Sequence, residues 1–213
     1  MKEARDEILA RVRLAAAQTS ADRNADYARI ARQYVQAGAL DAEARLAIFR
    51  ERLHDYNADT HLCSSASLTA AIAHCLSQRA KSRILMPDDF PESWLPSGFE
   101  FIRGHGLACE AIDRMDGAIT ACAVAIAMTG TIILQDGAPA QGIRALSLIP
   151  DYHLCVVEVA QIVETVPEAV RAIEKTGTKA TTTISGPSAT SDIEMTRIKG
   201  VHGPRTLEVI IVQ

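Results

Sequence analysis

From residue 59 onward, short apolar runs alternate with stretches that carry a helical stripe, and this alternation narrows the fold more than any other feature. Runs at 60–64, 83–86, 99–103, 118–122, 131–134, 154–159, 180–184 and 207–212 have strand length, and most are bounded by Gly, Pro or polar residues. The run 118–122 has hardly a polar atom, as a strand needs when its sheet is covered on both faces. Ser67 is placed to cap a helix with Leu68, Ile72, Cys75 and Leu76 on one side, and Pro167 opens another over 168–175. Strands alternating with helices predict an α/β domain with a largely parallel sheet.

Before residue 58 the pattern is helical. Tyr27, Ile30, Ala31, Tyr34 and Val35 follow a helix stripe, with Gly38 where a left-handed C-cap belongs. Asp41 caps a further helix whose apolar face is Leu46, Phe49, Leu53 and Tyr56. An earlier helix from residue 3 to about 17 turns Ile8, Val12 and Ala15 or Ala16 inward. The expected organisation is a helical segment over 1–57 and an α/β domain over 58–213.

A net charge of −4 argues against a nucleic-acid binder, which needs a basic stripe. The first residues alternate charge and lack an apolar signal-peptide core, and the most apolar segment, 118–128, is far below the roughly 20 residues of a membrane span. These features predict a cytoplasmic protein. The cysteines, Cys63, Cys75, Cys109, Cys122 and Cys155, are widely spaced and include no Cys-x-x-Cys, so no metal ligand set, iron–sulfur cluster or other cofactor is expected.

Ligands of open α/β sheets collect at strand ends, at the carboxyl side, so glycine turns after strands are the candidate sites. In residues 184–205, Ser185 leads into Gly186 and Pro187, which stop a strand, and Ser188, Thr190 and Ser191 follow, ahead of Asp192 and Glu194. Such a turn presents backbone N–H groups to an anion; the plain alternative is a capped helix followed by a tight turn, and two such turns within one short span favour the site. Glu194 and His202 are the candidate acid/base groups. Asp192 stands two residues from Glu194, so at most one of the two faces a helical pocket. Arg205 closes the segment. In a second turn, Thr129, Gly130 and Thr131 either line a pocket or satisfy a sharp bend. In a third, Gly137 and Gly142 have P-loop spacing, but Ile143-Arg144 replaces Lys-Ser/Thr, which rejects a P-loop. Gly142 and Arg144 remain a candidate anion clamp. His153 reads as structural, and His54, His61, His74 and His105 receive no role.

Four motifs in order resemble the LUD-domain proteins, and most closely the lactate utilization protein C group. They are Thr129-Gly130-Thr131-Ile132, Arg144-Ala145-Leu146-Ser147-Leu148 with Pro150-Asp151-Tyr152-His153, Ile184-Ser185-Gly186-Pro187-Ser188 through Glu194, and Gly200 to Arg205. The resemblance implies a three-layer α/β/α fold like that of the NagB/RpiA/CoA-transferase superfamily. It also implies the cluster-free part of a system that oxidises L-lactate to pyruvate beside iron–sulfur partner subunits. The alternative is a stand-alone enzyme acting on a CoA thioester, sugar phosphate or folate.

Overall fold

The computed structural model describes residues 2–17, 23–176, 179–190, 198–199 and 203–213. The chain forms two compact units, Met1–Tyr34 and Val35–Gln213.

The first unit holds helices α1 (Lys2–Ala17) and α2 (Arg23–Arg29). Helix α2 stops well before Gly38. The Arg32 guanidinium folds back to donate to Ile30 O at 2.9 Å and Tyr27 O at 3.1 Å, satisfying carbonyls that further helical turns would have used. The same guanidinium stacks over the Tyr27 ring. Ile8, Val12, Tyr27, Ile30 and Tyr34 are exposed, so the predicted apolar stripes do not become a core of this unit.

The second unit starts with an irregular strap over residues 35–41 that is tied to the segment 164–171. Leu40 N donates to Glu164 Oε2 at 2.7 Å, Arg171 donates to Gln36 O, and Gly38 lies so close to Glu164 that no side chain fits there. Gly38 is a contact glycine here. Helix α3 (Ala42–Asp55) begins where expected: the Asp41 carboxylate accepts from Ala44 N at 2.8 Å, and Leu46, Phe49 and Leu53 are buried. The elements that follow are β1 (Asp59–Cys63), α4 (Leu68–Gln78), β2 (Arg83–Met86), β3 (Glu100–Arg103), α5 (Cys109–Asp113) and β4 (Gly117–Thr120). Next come β5 (Val124–Ile126), β6 (Thr131–Gln135), β7 (Tyr152–Glu158), β8 (Ile162–Val163) and α6 (Val166–Glu174). The described chain ends with β9 (Thr181–Ile184), β10 (Ala189–Thr190), β11 (Ile198–Lys199) and β12 (Thr206–Val212).

The main sheet is fully parallel, in the order β1-β12-β7-β4-β2-β3. It is the α/β architecture predicted from the alternation. A smaller sheet, β8-β5-β6-β9, contains two of the predicted strands, β6 and β9, which do not extend the main sheet. The reason is local. The apolar run from 118 holds two strands, β4 and β5, separated by residues 121–123, where Ala121 N turns away to Ala140 O at 2.7 Å. No Gly or Pro marks that break. Gly130, at φ +57°, then reverses the chain so that β6 runs antiparallel to β5.

Alternation along β7 and β12 separates two cores. Cys155, Val157, Leu207, Val209 and Ile211 face α3 and the smaller sheet, against Phe49, Leu53 and Ile132. Tyr152, Leu154, Val156, Ile210 and Val212 face α4, against Leu68, Ile72 and Leu76. Each fully buried Leu, Ile or Phe in these layers contributes about 1.5–3 kcal/mol of hydrophobic stabilisation. Among the described residues no helix is long and apolar enough to cross a membrane.

Candidate functional site

A cavity of about 220 Å³ lies where β9 ends and where β7 and β12 begin. Its lining among the described residues consists of Ser147, Leu148, His153, Leu207, residues 182–188 and residues 203–204. The cavity thus uses the amino-terminal ends of two main-sheet strands, and the expected carboxyl-end position holds only for β9.

Two glycine-bearing turns build one wall. Gly186 has φ +83°, and an added Cβ would stand 2.4 Å from Tyr56 Cβ at the end of α3. Ser188 N donates to Pro204 O at 2.8 Å, which fastens the first turn to the second. Gly186→Ala is expected to cost about 2–5 kcal/mol, combining left-handed strain with overpacking against Tyr56. A urea unfolding midpoint checks it; an unchanged midpoint would mean that α3 does not brace the turn.

A hydroxyl ladder supports the wall from behind. Thr129 Oγ1 is 2.8 Å from Thr131 Oγ1, and Thr131 Oγ1 is 2.8 Å from Ser185 Oγ. Gly130 sits against α3, where an added Cβ would meet Arg52 Cβ at 2.7 Å. The Thr-Gly-Thr turn therefore reaches the cavity through Ser185; Thr129 and Thr131 are not in its lining.

The floor is His153, which the sequence reading treats as structural. It is 1% exposed, and its Nε2 is 2.8 Å from Thr120 Oγ1 on β4. Its Nδ1 has no hydrogen-bond partner among the described residues. Burial holds the imidazole neutral, with its pKa lowered from the ordinary 6.5 to about 4. A buried polar atom without a partner costs about 1–3 kcal/mol, so its retention beside a cavity points to a ligand that completes it. A neutral imidazole accepts a hydrogen bond at one ring nitrogen and donates from the other. Which role Nδ1 takes follows from where the Thr120 hydroxyl spends its hydrogen.

Other predicted residues lie elsewhere. Gly142, at φ +69°, lines a separate cavity of about 180 Å³ with Asp88, Asp89 and His105, beyond the carboxyl ends of β2 and β3. The Arg144 side chain is exposed, while its backbone N donates to Asp136 Oδ1 at 2.7 Å, so the predicted Gly142–Arg144 pair does not join the Ser185–Ser188 turn. Arg205 forks onto Asp151, with Nη2 to Oδ2 at 2.7 Å, and is absent from the lining. The Arg205 hydrogen bond holds the Asp151 carboxyl below its usual range. That stabilisation is present above the usual carboxylate range and disappears as pH falls through the lowered Asp151 value. Arg205→Ala is thus expected to lower the melting temperature slightly at neutral pH, with the gap closing in acid and ligand affinity unchanged. Thr190 is in β10, paired with Ile198 of β11. Asp192, Glu194 and His202 lie outside the described residues.

The LUD domain model matches residues 108–212, a range that contains every lining residue of the His153 cavity. The chain is 47% identical over 167 residues to Lactate utilization protein C of Deinococcus radiodurans, with 77% of each protein covered. The chain belongs to the LUD-domain family, in its lactate utilization protein C group. A second Lactate utilization protein C, from an Exiguobacterium species, is 28% identical over 190 residues, covering 84% of this LUD-domain chain and 81% of that protein. The crystal structure of a DUF162 family protein from Deinococcus radiodurans superposes with a TM-score of 0.72 at 42% identity, over 82% of this chain and 100% of that one.

Proposed function

We propose that this LUD-domain chain acts in lactate utilization as the cluster-free component of a system that oxidises L-lactate to pyruvate, beside iron–sulfur subunits. The His153 cavity receives the small hydroxy acid or its oxo product. The relatives named for lactate utilization support the system. The unpartnered, buried Nδ1 of His153 carries the ligand assignment.

The chemistry of the wall fits that ligand class. At about 220 Å³ the cavity is below the roughly 300–1,000 Å³ of drug-sized sites, which suits a metabolite of few heavy atoms. Its polar side chains are hydroxyls and one neutral imidazole, with no lysine or arginine in the described lining. A 2-hydroxy carboxylate brings both a hydroxyl donor and carboxylate acceptors, so it answers His153 in either tautomer while Ser185 and Ser188 take the remaining polar atoms. In this reading His153, Ser185 and Ser188 bind and orient the acid, and the redox groups that take up the two electrons and two protons of its oxidation belong to the partner subunits.

Deleting the gene from its host is expected to abolish growth on L-lactate and leave growth on pyruvate intact. The wild-type chain restores growth; His153→Leu does not. Normal growth of the deletion strain on L-lactate, with no second copy of the gene, overturns the assignment.

A further inference from the structure

Opposite the His153 cavity, on the other face of β7 and β12, stands a polar cluster that lactate chemistry leaves unused. Glu208 of β12 points into the layer between the main sheet and α4, and its side chain is 3% exposed. Its Oε1 lies 2.7 Å from His61 Nε2 on the neighbouring strand β1. Its Oε2 accepts from the Tyr152 hydroxyl at 2.7 Å. Cys75, fully buried on α4, completes the group: one donor atom from each of His61, Cys75 and Glu208 falls within 4.8 Å of the other two. A cleft of about 380 Å³, lined by Thr60, Gln78 and Arg79 among others, runs past His61 and Glu208.

We propose that His61 Nε2, Cys75 Sγ and Glu208 Oε1 bind a divalent transition-metal ion of the zinc class, with a fourth coordination position facing that cleft. The donor set is imidazole, thiol and carboxylate, which is a zinc set rather than a calcium or magnesium set. With bonds of 2.0–2.3 Å, tetrahedral ligands stand about 3.3–3.8 Å apart, so the ion would part His61 Nε2 and Glu208 Oε1 from their 2.7 Å contact, while every donor pair already lies within 4.8 Å. The donors come from two adjacent parallel strands and the helix that crosses them, elements that hold side chains in fixed places.

The surroundings fit as well. A carboxylate in an apolar sheet–helix layer needs a cation or several donors. Arg79 Nε is 3.7 Å from Glu208 Oε2, but the same guanidinium is engaged by Asp59. Tyr152 fixes Oε2, which leaves Oε1 to the ion and sets the orientation of the carboxylate. On binding, the ion takes the place of the Cys75 thiol proton, which leaves to solvent.

The test uses the full-length chain stripped by chelator and titrated with Co²⁺. One equivalent per chain is expected, with a near-ultraviolet thiolate-to-cobalt band and strong visible bands of tetrahedral geometry, all removed by Zn²⁺. Cys75→Ser should lose the thiolate band, and Tyr152→Phe should keep it while weakening affinity about 10–100-fold. His61→Gln, at a partly exposed side chain, should weaken affinity at least about tenfold, and it serves as the readout if Cys75→Ser does not fold. No stoichiometric Co²⁺ uptake by the wild type, or uptake without a thiolate band, overturns the site. So does uptake unchanged in His61→Gln.

Discussion

Replacing His153 with leucine is expected to abolish ligand binding while leaving the fold within about 1 kcal/mol of the wild type. Two terms oppose each other. The Nε2 bond to Thr120 disappears, at about 1 kcal/mol, and the unpartnered buried Nδ1 disappears too, returning a similar amount. Leucine has nearly the volume of histidine, so β7 keeps its packing. A residue retained for packing alone would show the reverse pattern, with stability lost and ligand affinity kept. The substitution also changes the response to acid. The unfolded chain takes up a proton at the ordinary 6.5 that folded His153 refuses until about pH 4. The unfolded state therefore binds more protons in this window, so stability is full above about pH 6.5 and falls as the pH drops toward 4. The group accounts for up to about 3 kcal/mol at the acid end. Urea unfolding at pH 7 and pH 4.5 should show a wild-type loss that His153→Leu largely lacks. Equal losses in the two proteins would contradict the buried, neutral histidine.

Glu208→Ala is expected to be the most damaging single change, at about 3–5 kcal/mol of folding stability. The carboxylate is the shared acceptor for His61 and Tyr152 in the layer between the main sheet and α4. Removing it strands the Tyr152 hydroxyl and opens a void beside Cys75. Glu208→Gln keeps the shape and one acceptor for Tyr152, and should cost less than half as much. Unfolding midpoints in urea separate the two, and an alanine variant as stable as the glutamine variant would show that Glu208 does not organise this layer. A stability of about 5–15 kcal/mol for an ordinary domain makes the alanine loss visible in expression level as well.

The main sheet was legible in the sequence because its strands are short apolar runs buried on both faces, and all of its strands stand within two residues of the predicted runs. The smaller sheet was not, because residues 118–126 read as one apolar stretch with no Gly or Pro at the break. The Ser185–Ser188 turn was legible through its glycine and proline and does line the cavity. His153 falls just outside the apolar run 154–159, so the run alone gives it no place in the strand. Starting it at Tyr152, where β7 begins, makes His153 a polar residue inside an otherwise buried run, which is the signal that finds it. Glu208 carries the same signal within β12. Arg205 and Arg144 could not be sorted from sequence, since only the fold reveals that Asp151 holds the first and that the second is exposed. Asp192, Glu194 and His202 lie outside the described residues.

Histidine ¹⁵N resonances of the full-length chain, followed during titration with L-lactate and with pyruvate, test the ligand assignment most directly. The Nδ1 signal of His153, identified by its absence in His153→Leu, is predicted to move saturably with these two acids and to stay fixed with acetate, which lacks the second polar group. An Nδ1 signal that stays fixed with all three acids, or L-lactate binding that survives unchanged in His153→Leu, would contradict it.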